Sequence, residues 1–338
     1  MKAVGLTEYL SIDDKNSLRD IELSMPVAAG RDILVKVKAI SVNPVDTKVR
    51  SPKDVIEKTP RILGWDASGT IVAVGESVTA YQIGDDVFYA GDITRSGCNA
   101  EFHLVDERIV GHKPSTLSHA EAAALPLTSI TAWEALFDRL RIKESDSTDN
   151  RKSILIIGGA GGVGSIAIQL AKKIAGLTVI ATASREETIN WCKDLGADLV
   201  VNHRNNLLTE LSAIKYPTVD YILCLNDTDG HWSAMSQLIT PQGTICTIVE
   251  NQHPLDMSEL KTKSATFVWE FMFTRSMYQT DDMASQRDLL NNISNLIDEG
   301  ILRTTLTQTF TPINAENLRN AHGIVEKGKS IGKIVIAN

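Results

Sequence analysis

The alternation of apolar and polar positions changes its character along the chain. Within residues 1–125, short segments alternate with period two, which predicts strands that bury one face. The segments with this pattern, separated by glycine and aspartate turns, are 32–43, 68–77, 81–89 and 100–106. A helical pattern at 118–137 follows them. The N-terminal part is therefore predicted to be β-rich.

After residue 152 the apolar positions form short continuous runs with helix-like segments between them. Strands that are buried on both faces have this pattern, which predicts a parallel sheet of βαβ units. The runs are "SILIIGG", "TVIATAS", "LVVNH", "VDYILCL" and "GTICTIV", and "ATFVWE" (265–270) is a candidate sixth strand. Two amphipathic helices (285–300 and 314–328) and a final strand, "GKIVIAN", end the chain and are candidates for rejoining the first domain.

Composition and charge narrow the class of protein. The 338 residues carry a formal net charge of -8, which gives no indication of nucleic-acid or anionic-membrane binding. The N-terminus has no apolar signal segment and no run approaches the roughly 18 apolar residues of a membrane span, so we expect a cytosolic protein. The four cysteines form no C-x-x-C pair, which favours isolated buried thiols over disulfides or zinc knuckles.

A glycine cluster stands between the first buried run and an amphipathic helix. Gly159, Gly161 and Gly164 have the G-x-G-x-x-G spacing of a dinucleotide-binding loop. We assign the sharp turn to Gly159, the close approach of a pyrophosphate to Gly161, and close helix–strand packing to Gly164. Gly162 and Val163 open the helix, whose free N–H groups and partial positive charge favour phosphates. A purely structural turn is the alternative.

The choice between NAD and NADP depends on the end of the second strand, about 20 residues beyond the glycines. Ser184 and Arg185 stand where an NAD site would carry an acidic residue, and an arginine can bind a 2′-phosphate. NADPH is therefore the predicted cofactor. Ser184 is also a candidate N-cap, with Glu187 completing a capping box. Glu186 would take the acidic role if the strand ended later.

Several stretches together resemble the medium-chain dehydrogenase/reductase superfamily over essentially the full length. The resemblance is closest to the zinc-free quinone oxidoreductase branch, often labelled zinc-type alcohol dehydrogenase-like. The stretches are "SVNPVDTKVR" (41–50), "LGWDASGTIVAVG" (63–75), "LPLTSITAWEAL" (125–136), "GGAGGVGSIAIQLAK", "LGADLVVNHR" (195–204) and the terminal "GKIVI".

The resemblance implies an α/β chain with a GroES-like β-barrel catalytic domain and a Rossmann domain with a doubly wound parallel sheet. We expect the catalytic domain at 1–125, the NADPH-binding domain at 126–272, and a return segment at 273–338 that completes the first domain. Family members commonly form dimers by joining their Rossmann sheets edge to edge, so a homodimer is expected.

The ligands of the family's catalytic zinc have no counterpart in this sequence. Zinc-dependent relatives carry a Cys, a His–Glu pair and a second Cys at three places. The matching residues are 43–46, Trp65–Asp66 and 127–129, with no thiolate or imidazole among them. Asp46 and Asp66 alone make a poor zinc site. The four closely spaced cysteines of the structural zinc lobe are also missing, so both metals are predicted to be absent.

The resemblance also nominates residues for the reaction. Asn43 is placed near the nicotinamide ribose and the substrate carbonyl, where its amide can donate to a developing oxyanion; an Asn-Pro turn entering a loop is the alternative. Asp46 orients neighbours, relays a proton, or is an ordinary turn aspartate. Lys48 stands where relatives often carry a tyrosine, and Arg50 matches a basic position or is a solvated charge.

Other nominated residues surround the predicted cofactor and substrate. Trp65 is a pocket wall or a core residue, and Thr128 matches a position that approaches the nicotinamide. Leu225 and Ile248 end the fourth and fifth strands and face the ring or the core. Lys333 reaches the cofactor phosphates or is a solvated lysine. In the aromatic stretch 265–278, Phe271 and Phe273 stack a planar substrate; the alternative is a buried interface strand in which Phe267, Trp269 and Phe271 alternate.

Without a Lewis acid, oxidation of a simple alcohol loses its main support, whereas quinones and enones accept hydride readily. The sequence therefore predicts a cytosolic, zinc-free oxidoreductase that transfers hydride from NADPH to a quinone or an α,β-unsaturated carbonyl. Two alternatives remain open. One is an alcohol dehydrogenase with an unconventional metal site, and the other is a non-catalytic NADPH binder that acts as a redox sensor.

Overall fold

The computed structural model describes residues 1–143 and 152–338 of the chain. They divide into two units, of which the first holds Met1–Ile130 with Phe273–Asn338 and the second holds Thr131–Met272. The predicted combination of a β-rich unit with a parallel α/β unit is confirmed. In the part of the chain that the structure describes, no helix is both long and apolar enough to span a lipid bilayer.

The first unit is built mainly from antiparallel strands. The strands are β1 Lys2–Tyr9, β2 Arg19–Glu22, β3 Asp32–Val42, β4 Lys53–Ile62, β5 Ala67–Val74, β6 Asp86–Tyr89, β7 Phe102–Asp106 and β8 Val110–His112, and later β15 Leu306–Phe310 and β16 Lys333–Ala337. The helices that lie wholly in this unit are α1 Pro44–Arg50, α2 His119–Ala123, α8 Thr274–Tyr278, α9 Ser285–Asp298 and α10 Ala315–Glu326, with a 3₁₀ turn at Glu107–Ile109.

These strands form two sheets. A small sheet has the order β2-β1-β4, and a larger one has the order β15-β16-β3-β5-β6-β8, with β7 also paired to β3. The last strand, β16, pairs antiparallel with β3 and parallel with β15. The C-terminal strand thus completes the sheet that the N-terminal strands begin, and the chain ends inside its first unit.

The second unit holds a six-stranded parallel sheet. Its strands are β9 Ser153–Ile157, β10 Thr178–Thr182, β11 Leu199–Val201, β12 Val219–Cys224, β13 Ile239–Thr247 and β14 Thr266–Trp269. Its helices are a π-helix at Glu134–Arg139, α4 Gly162–Lys173, α5 Glu186–Asp194, α6 Leu207–Ala213, α7 Thr228–Leu238 and a 3₁₀ helix at Met257–Lys263; α3 Pro126–Trp133 carries the chain from the first unit to the second.

The strand order of this sheet is β11-β10-β9-β12-β13-β14, and every neighbouring pair is parallel. All five residues of β9 are buried, as its continuous apolar run predicts. The order reverses direction beside β9, since β10 lies on one side of it and β12 on the other. Such a switch point at the carboxyl ends of strands is where doubly wound sheets bind their ligands.

Local sequence signals missed some elements. The sequence predicts one helix over 118–137, but the structure ends α2 at Ala123 and starts α3 at Pro126, because proline favours the first turn of a helix and disrupts its interior. The helix α1 replaces the expected loop after Asn43. The strands β1, β2, β4, β8 and β15 were not predicted; most residues of β4 and β15 are exposed, so no buried face marks them.

Candidate active site

A buried polar cluster forms where three strand ends of the first unit meet. Asn43 follows β3, Asp66 precedes β5, and Lys333 begins β16. β3 pairs with both other strands, and the register sets Val42 opposite Ile334. Asn43, Asp66 and Lys333 expose 1%, 0% and 3% of their surface, so the cluster is almost completely removed from water.

Hydrogen bonds join the three side chains into one network. The Asn43 Nδ2 donates to Asp66 Oδ2 at 2.7 Å, and the Lys333 Nζ donates to Asn43 Oδ1 at 2.5 Å. The same ammonium lies 3.1 Å from Asp66 Oδ2 and 3.1 Å from the Val42 carbonyl oxygen. The expectation of a solvated Lys333 is therefore wrong. Its contact with cofactor phosphates stays a prediction, although three acceptors already surround the amine.

Asp66 was not predicted as a site residue, yet it is a central part of this network. One carboxylate oxygen accepts from Asn43 and Lys333, and the other accepts the Leu127 N–H at 2.8 Å. Burial raises the pKa of Asp66, while Lys333, Asn43 and the Leu127 N–H oppose that rise. Several donors around one carboxylate favour its ionised form. The fully buried Cys98 thiol donates to the Asp66 backbone oxygen at 3.4 Å, and burial raises its pKa.

Asp46 lies beside this network with one oxygen unsatisfied. Its Oδ2 accepts the Asn43 backbone N–H at 2.6 Å, whereas Oδ1 has no hydrogen-bond partner among the described residues. The contact closes the first turn of α1 and explains why a helix forms there. Burial raises the pKa of Asp46 to about 7, with Asn43 and Lys333 acting against the rise and Asp66 adding to it. A group with this pKa can gain and lose a proton near neutral pH.

The three places that would carry zinc ligands are thus occupied by other interactions. Zinc favours thiolate, imidazole and carboxylate ligands in tetrahedral geometry. Here the Asp66 carboxylate pairs with the Lys333 ammonium and accepts N–H groups from Asn43 and Leu127. The Asn43 amide oxygen accepts from the same ammonium. Across 1–143 and 152–338 no group of three or more His, Cys, Asp or Glu side chains is arranged to hold a metal ion. The residues present at these places therefore do not fit a catalytic zinc.

The other nominated residues of α1 are placed differently from one another. Lys48 is exposed on the helix. Arg50 is buried, donates to the Leu10 carbonyl oxygen at 2.6 Å and pairs with Glu326. The expectation that Arg50 is a solvated charge is wrong, because it ties α1 to the end of α10. Thr128 is buried in α3, where its hydroxyl donates to the Leu125 carbonyl oxygen at 3.0 Å.

The aromatic candidates do not form one group. Trp65 exposes 1% of its surface and Phe273 2%, and their rings meet edge to face with centroids 6.1 Å apart. The Trp65 indole N–H also donates to the Asp92 carbonyl oxygen at 3.2 Å. Both aromatics are therefore core residues of the first unit in this structure. Phe271 lies beyond the end of β14 in the second unit and is 46% exposed.

The glycine loop lies at the switch point of the parallel sheet. Gly158, with a φ of 90°, is the residue of this loop that has a positive φ. The sharp turn therefore lies at Gly158 and not at Gly159, where it was expected. A Cβ on Gly164 would lie 2.5 Å from the Gly158 carbonyl oxygen, so α4 needs glycine there to approach the strand. A Cβ on Gly161 would meet only one atom within 4 Å, at 3.6 Å. The backbone at Gly161, and at Gly162 and Val163 beyond it, fits a pyrophosphate at the start of α4.

The segment that follows β10 lacks the capping box that was expected there. β10 ends at Thr182, and α5 begins at Glu186 with Arg185 as its N-cap. The predicted capping box from Ser184 to Glu187 is wrong, since the Thr188 hydroxyl accepts the Arg185 N–H at 3.1 Å instead. Ser184 is free of that capping role, and the Arg185 guanidinium lies 3.2 Å from Glu187.

Thr182 was not nominated, yet it contacts the glycine loop twice. Its hydroxyl accepts the Gly158 N–H at 3.0 Å, and its carbonyl oxygen accepts the Gly159 N–H at 3.2 Å. Leu225 and Ile248 lie directly after β12 and β13, and their side chains are half-buried. The Leu225 N–H donates to a carbonyl oxygen at the end of β9, and the Ile248 N–H donates to one at the end of β12. All of these positions lie at the carboxyl edge of the sheet.

A second buried polar cluster in the second unit was also missed. Glu270 follows β14, and its carboxylate accepts from the Arg139 Nε at 2.9 Å, while Arg139 also lies 3.7 Å from Glu134 on the π-helix. Burial, strengthened by Glu134, raises the pKa of Glu270 to about 9. A lone glutamate inside the aromatic run "TFVWEFMF" is the signal that could have indicated it.

We expect the Asp46→Asn variant to gain stability relative to the wild type as the pH rises. The folded-state pKa of Asp46 exceeds its unfolded value, so the folded wild type binds the proton more tightly and loses stability between about pH 4 and pH 7. The Asp46→Asn variant carries a neutral amide at this position and does not lose stability in this way. Between pH 5 and pH 8 the difference in unfolding free energy should shift by about 2–3 kcal/mol in favour of the variant.

Urea unfolding at each pH measures this shift. Asp54→Asn is a matched control, because Asp54 is exposed on β4 and its charge stays in water. Parallel pH profiles for the wild type and Asp46→Asn would show that Asp46 is already ionised throughout this range.

Comparison with known proteins gives the family. Residues 29–127 match the profile described as alcohol dehydrogenase GroES-like domain, and residues 195–336 match that of a zinc-binding dehydrogenase. A zinc-type alcohol dehydrogenase-like protein of Staphylococcus aureus is 47% identical over 336 residues, which cover 99% of each chain. The 2-methylene-furan-3-one reductase of Solanum lycopersicum is 29% identical over 99% of this chain and 79% of its own length.

Among solved structures, a candidate zinc-dependent alcohol dehydrogenase from Rhizobium etli superposes with a TM-score of 0.95. It is 52% identical, and the match covers 100% of this chain and 98% of the other. The two profiles, the relatives along the whole length and the shared architecture agree with the resemblance seen in the sequence. The chain belongs to the medium-chain dehydrogenase/reductase superfamily of oxidoreductases.

Proposed function

We propose that the protein is an NADPH-dependent reductase that transfers hydride to a quinone or an α,β-unsaturated carbonyl without a catalytic zinc. The observation that carries the proposal is the buried cluster of Asn43, Asp66 and Lys333, which fills the places of the zinc ligands with an ammonium, an amide and a carboxylate that are already paired. Such a site cannot polarise a simple alcohol as a metal does. It can donate hydrogen bonds to a substrate oxygen.

The cofactor would be held by the second unit. The N–H groups at the start of α4 and the open backbone at Gly161 suit a pyrophosphate, and Ser184 with Arg185 suits a 2′-phosphate. Arg185 has its guanidinium partly exposed beside Glu187, from which it can turn to a phosphate. Leu225 and Ile248 would face the nicotinamide ring. Bound NADPH supplies the hydride.

The chain's own residues would stabilise the product side of the step. When the β-carbon of an enone gains a hydride, two electrons enter the conjugated system and negative charge develops on the oxygen. The Asn43 amide would donate to that oxygen. One proton then completes the saturated carbonyl, and Asp46, which accepts the Asn43 backbone N–H and has a pKa of about 7, would supply it. The tomato relative's name, a methylene-furanone reductase, describes an acceptor of this class.

We expect NADPH to bind more tightly than NADH, and Arg185→Ala to lose this preference. A charge-assisted hydrogen bond contributes about 1.5–3 kcal/mol, so the variant should bind NADPH roughly 10–100-fold more weakly and NADH unchanged. Fluorescence titration measures both affinities. Lys193→Ala is the matched control, because it removes an exposed positive charge from the far end of the same helix, α5.

Equal or tighter binding of NADH, unchanged by the Arg185 substitution, would contradict the phosphate assignment. Glu186, the first residue of α5, would then be the leading candidate for the ribose hydroxyl.

Steady-state assays test the reaction itself. We expect NADPH oxidation with quinones and enones, no oxidation of simple alcohols by NADP⁺, and less than about 0.1 zinc per chain after mild dialysis, because the donor set does not fit zinc. Elemental analysis of the same preparation gives the metal content. Alcohol oxidation together with about one zinc per chain would instead establish an alcohol dehydrogenase with an unconventional metal site.

We also propose a homodimer formed through the free edge of the parallel sheet. β14 is the last strand of that sheet, and Trp269 at its end is 43% exposed, with Phe271 just beyond at 46%. An edge strand with exposed aromatics favours pairing with a second copy.

We expect light scattering to give a dimer for the wild type and a larger monomer fraction at micromolar concentration for Trp269→Lys, since a charge at this edge opposes burial. Met25→Lys, at a site of 56% exposure in the first unit, is the control that should stay dimeric. A monomeric wild type would overturn the dimer.

A further inference from the structure

The places that carry zinc ligands in metal-dependent relatives converge here on one ammonium group. The Lys333 Nζ contacts Asn43 Oδ1 and Asp66 Oδ2 directly. Through the other oxygen of Asp66, which accepts the Leu127 N–H, it also connects to the third place. One side chain from the last strand thus links all three segments of the first unit.

We propose that Lys333 is a positioning residue of the reductase site, which holds the Asn43 amide in one orientation and supplies the positive charge that a metal would supply there. This inference rests on the proposed function. It assigns Lys333 to the substrate side of the reaction rather than to the cofactor phosphates.

The donors and acceptors around Asn43 fix the orientation of its amide. An ammonium has three donors and no acceptor, and an ionised carboxylate only accepts. Asn43 must therefore turn its oxygen to Lys333 and its nitrogen to Asp66; the reverse orientation would set N–H groups against the ammonium and oxygen against the carboxylate. One Nδ2–H bonds Asp66, and the amide's second N–H finds no further acceptor among the described residues. That second N–H is the donor available to a substrate oxygen.

The second role of the Lys333 ammonium is to neutralise Asp66. A buried carboxylate without a counter-charge would repel an oxyanion forming on the other side of the amide, and burial makes that repulsion larger than in water. Lys333 lies 3.1 Å from the carboxylate and is itself only 3% exposed, so it neutralises Asp66 where solvent cannot. The ammonium also polarises the Asn43 carbonyl, which strengthens donation from the opposite N–H.

The test separates cofactor binding from turnover. In Lys333→Met we expect kcat with an enone and NADPH to fall about 100-fold, comparable with the loss of one oxyanion donor, while the Kd for NADPH changes less than threefold. Lys333→Arg keeps the charge and should recover part of kcat. Lys327→Met, which removes an exposed charge after α10, is the control expected to match the wild type.

A double variant separates the loss of the proposed role from a failure to fold. Lys333→Met leaves Asp66 buried without its partner, so Lys333→Met/Asp66→Asn removes both charges and should fold with near wild-type stability. If the two residues act as a unit, the double variant should lose about as much kcat as Lys333→Met alone.

The outcomes distinguish the proposals. A tenfold or larger rise in the NADPH Kd of Lys333→Met with kcat nearly unchanged would overturn the inference and favour a phosphate contact, with the reductase function intact. A folded double variant with wild-type kcat would also overturn it. A wild type that reduces no quinone or enone would overturn the proposed function and the inference together.

Discussion

The antiparallel pairing of the last strand with β3 is the constraint on which the candidate site depends. Val42 stands opposite Ile334 in this register, so the next opposed positions of the two chain segments, Asn43 and Lys333, lie beside each other although 290 positions separate them in sequence. A shift of one residue would turn the Lys333 side chain to the other face of the sheet. Because β16 lies between β15 and β3, it cannot shift without losing pairing on both sides.

Burial then makes each polar group at this place depend on its neighbours. Asp66 is fully buried, and the ammonium, the amide and the backbone N–H that surround it oppose the rise in pKa that burial causes. Asp46 receives one backbone donor and leaves one oxygen without a partner, so burial prevails and its pKa rises to about 7. The two neighbouring aspartates thereby differ in how many donors stabilise their ionised form, and such a difference is a common basis for dividing roles in a catalytic site.

The second unit carries backbone N–H groups at the start of α4, where an anion would bind. Gly158 makes the turn, Gly164 lets the helix approach, and Thr182 on the neighbouring strand holds the loop by two hydrogen bonds. The pair of buried glutamates beside Arg139 shows that the same sheet edge also holds an acid whose pKa is about 9. Burial and the neighbouring Glu134 raise the pKa of Glu270, and the Arg139 guanidinium opposes that rise.

The amino-acid sequence by itself determined the class of each unit and the location of the glycine loop. Short continuous apolar runs that alternate with helix-like segments favour strands covered on both faces, and glycines at this spacing permit the tight turn and close helix–strand packing of a dinucleotide-binding loop. The motif around Asn43 and the lack of zinc ligands were likewise evident, because they depend only on which residue types are present. Weakly patterned edge strands such as β4 and β15 escaped prediction, since exposed strands carry no periodic apolar face.

Only the tertiary structure decided which side chains act together. Lys333 and Arg50 both resemble surface charges in sequence, yet both are buried and paired with residues more than 200 positions away. Phe273 was a candidate for substrate stacking, but packing against Trp65 places it in the core, while Phe271, two residues earlier, stays exposed. Burial, strand register and pairing across the chain are collective properties of the fold. Local sequence therefore names the candidate residues, and the fold determines which of them meet.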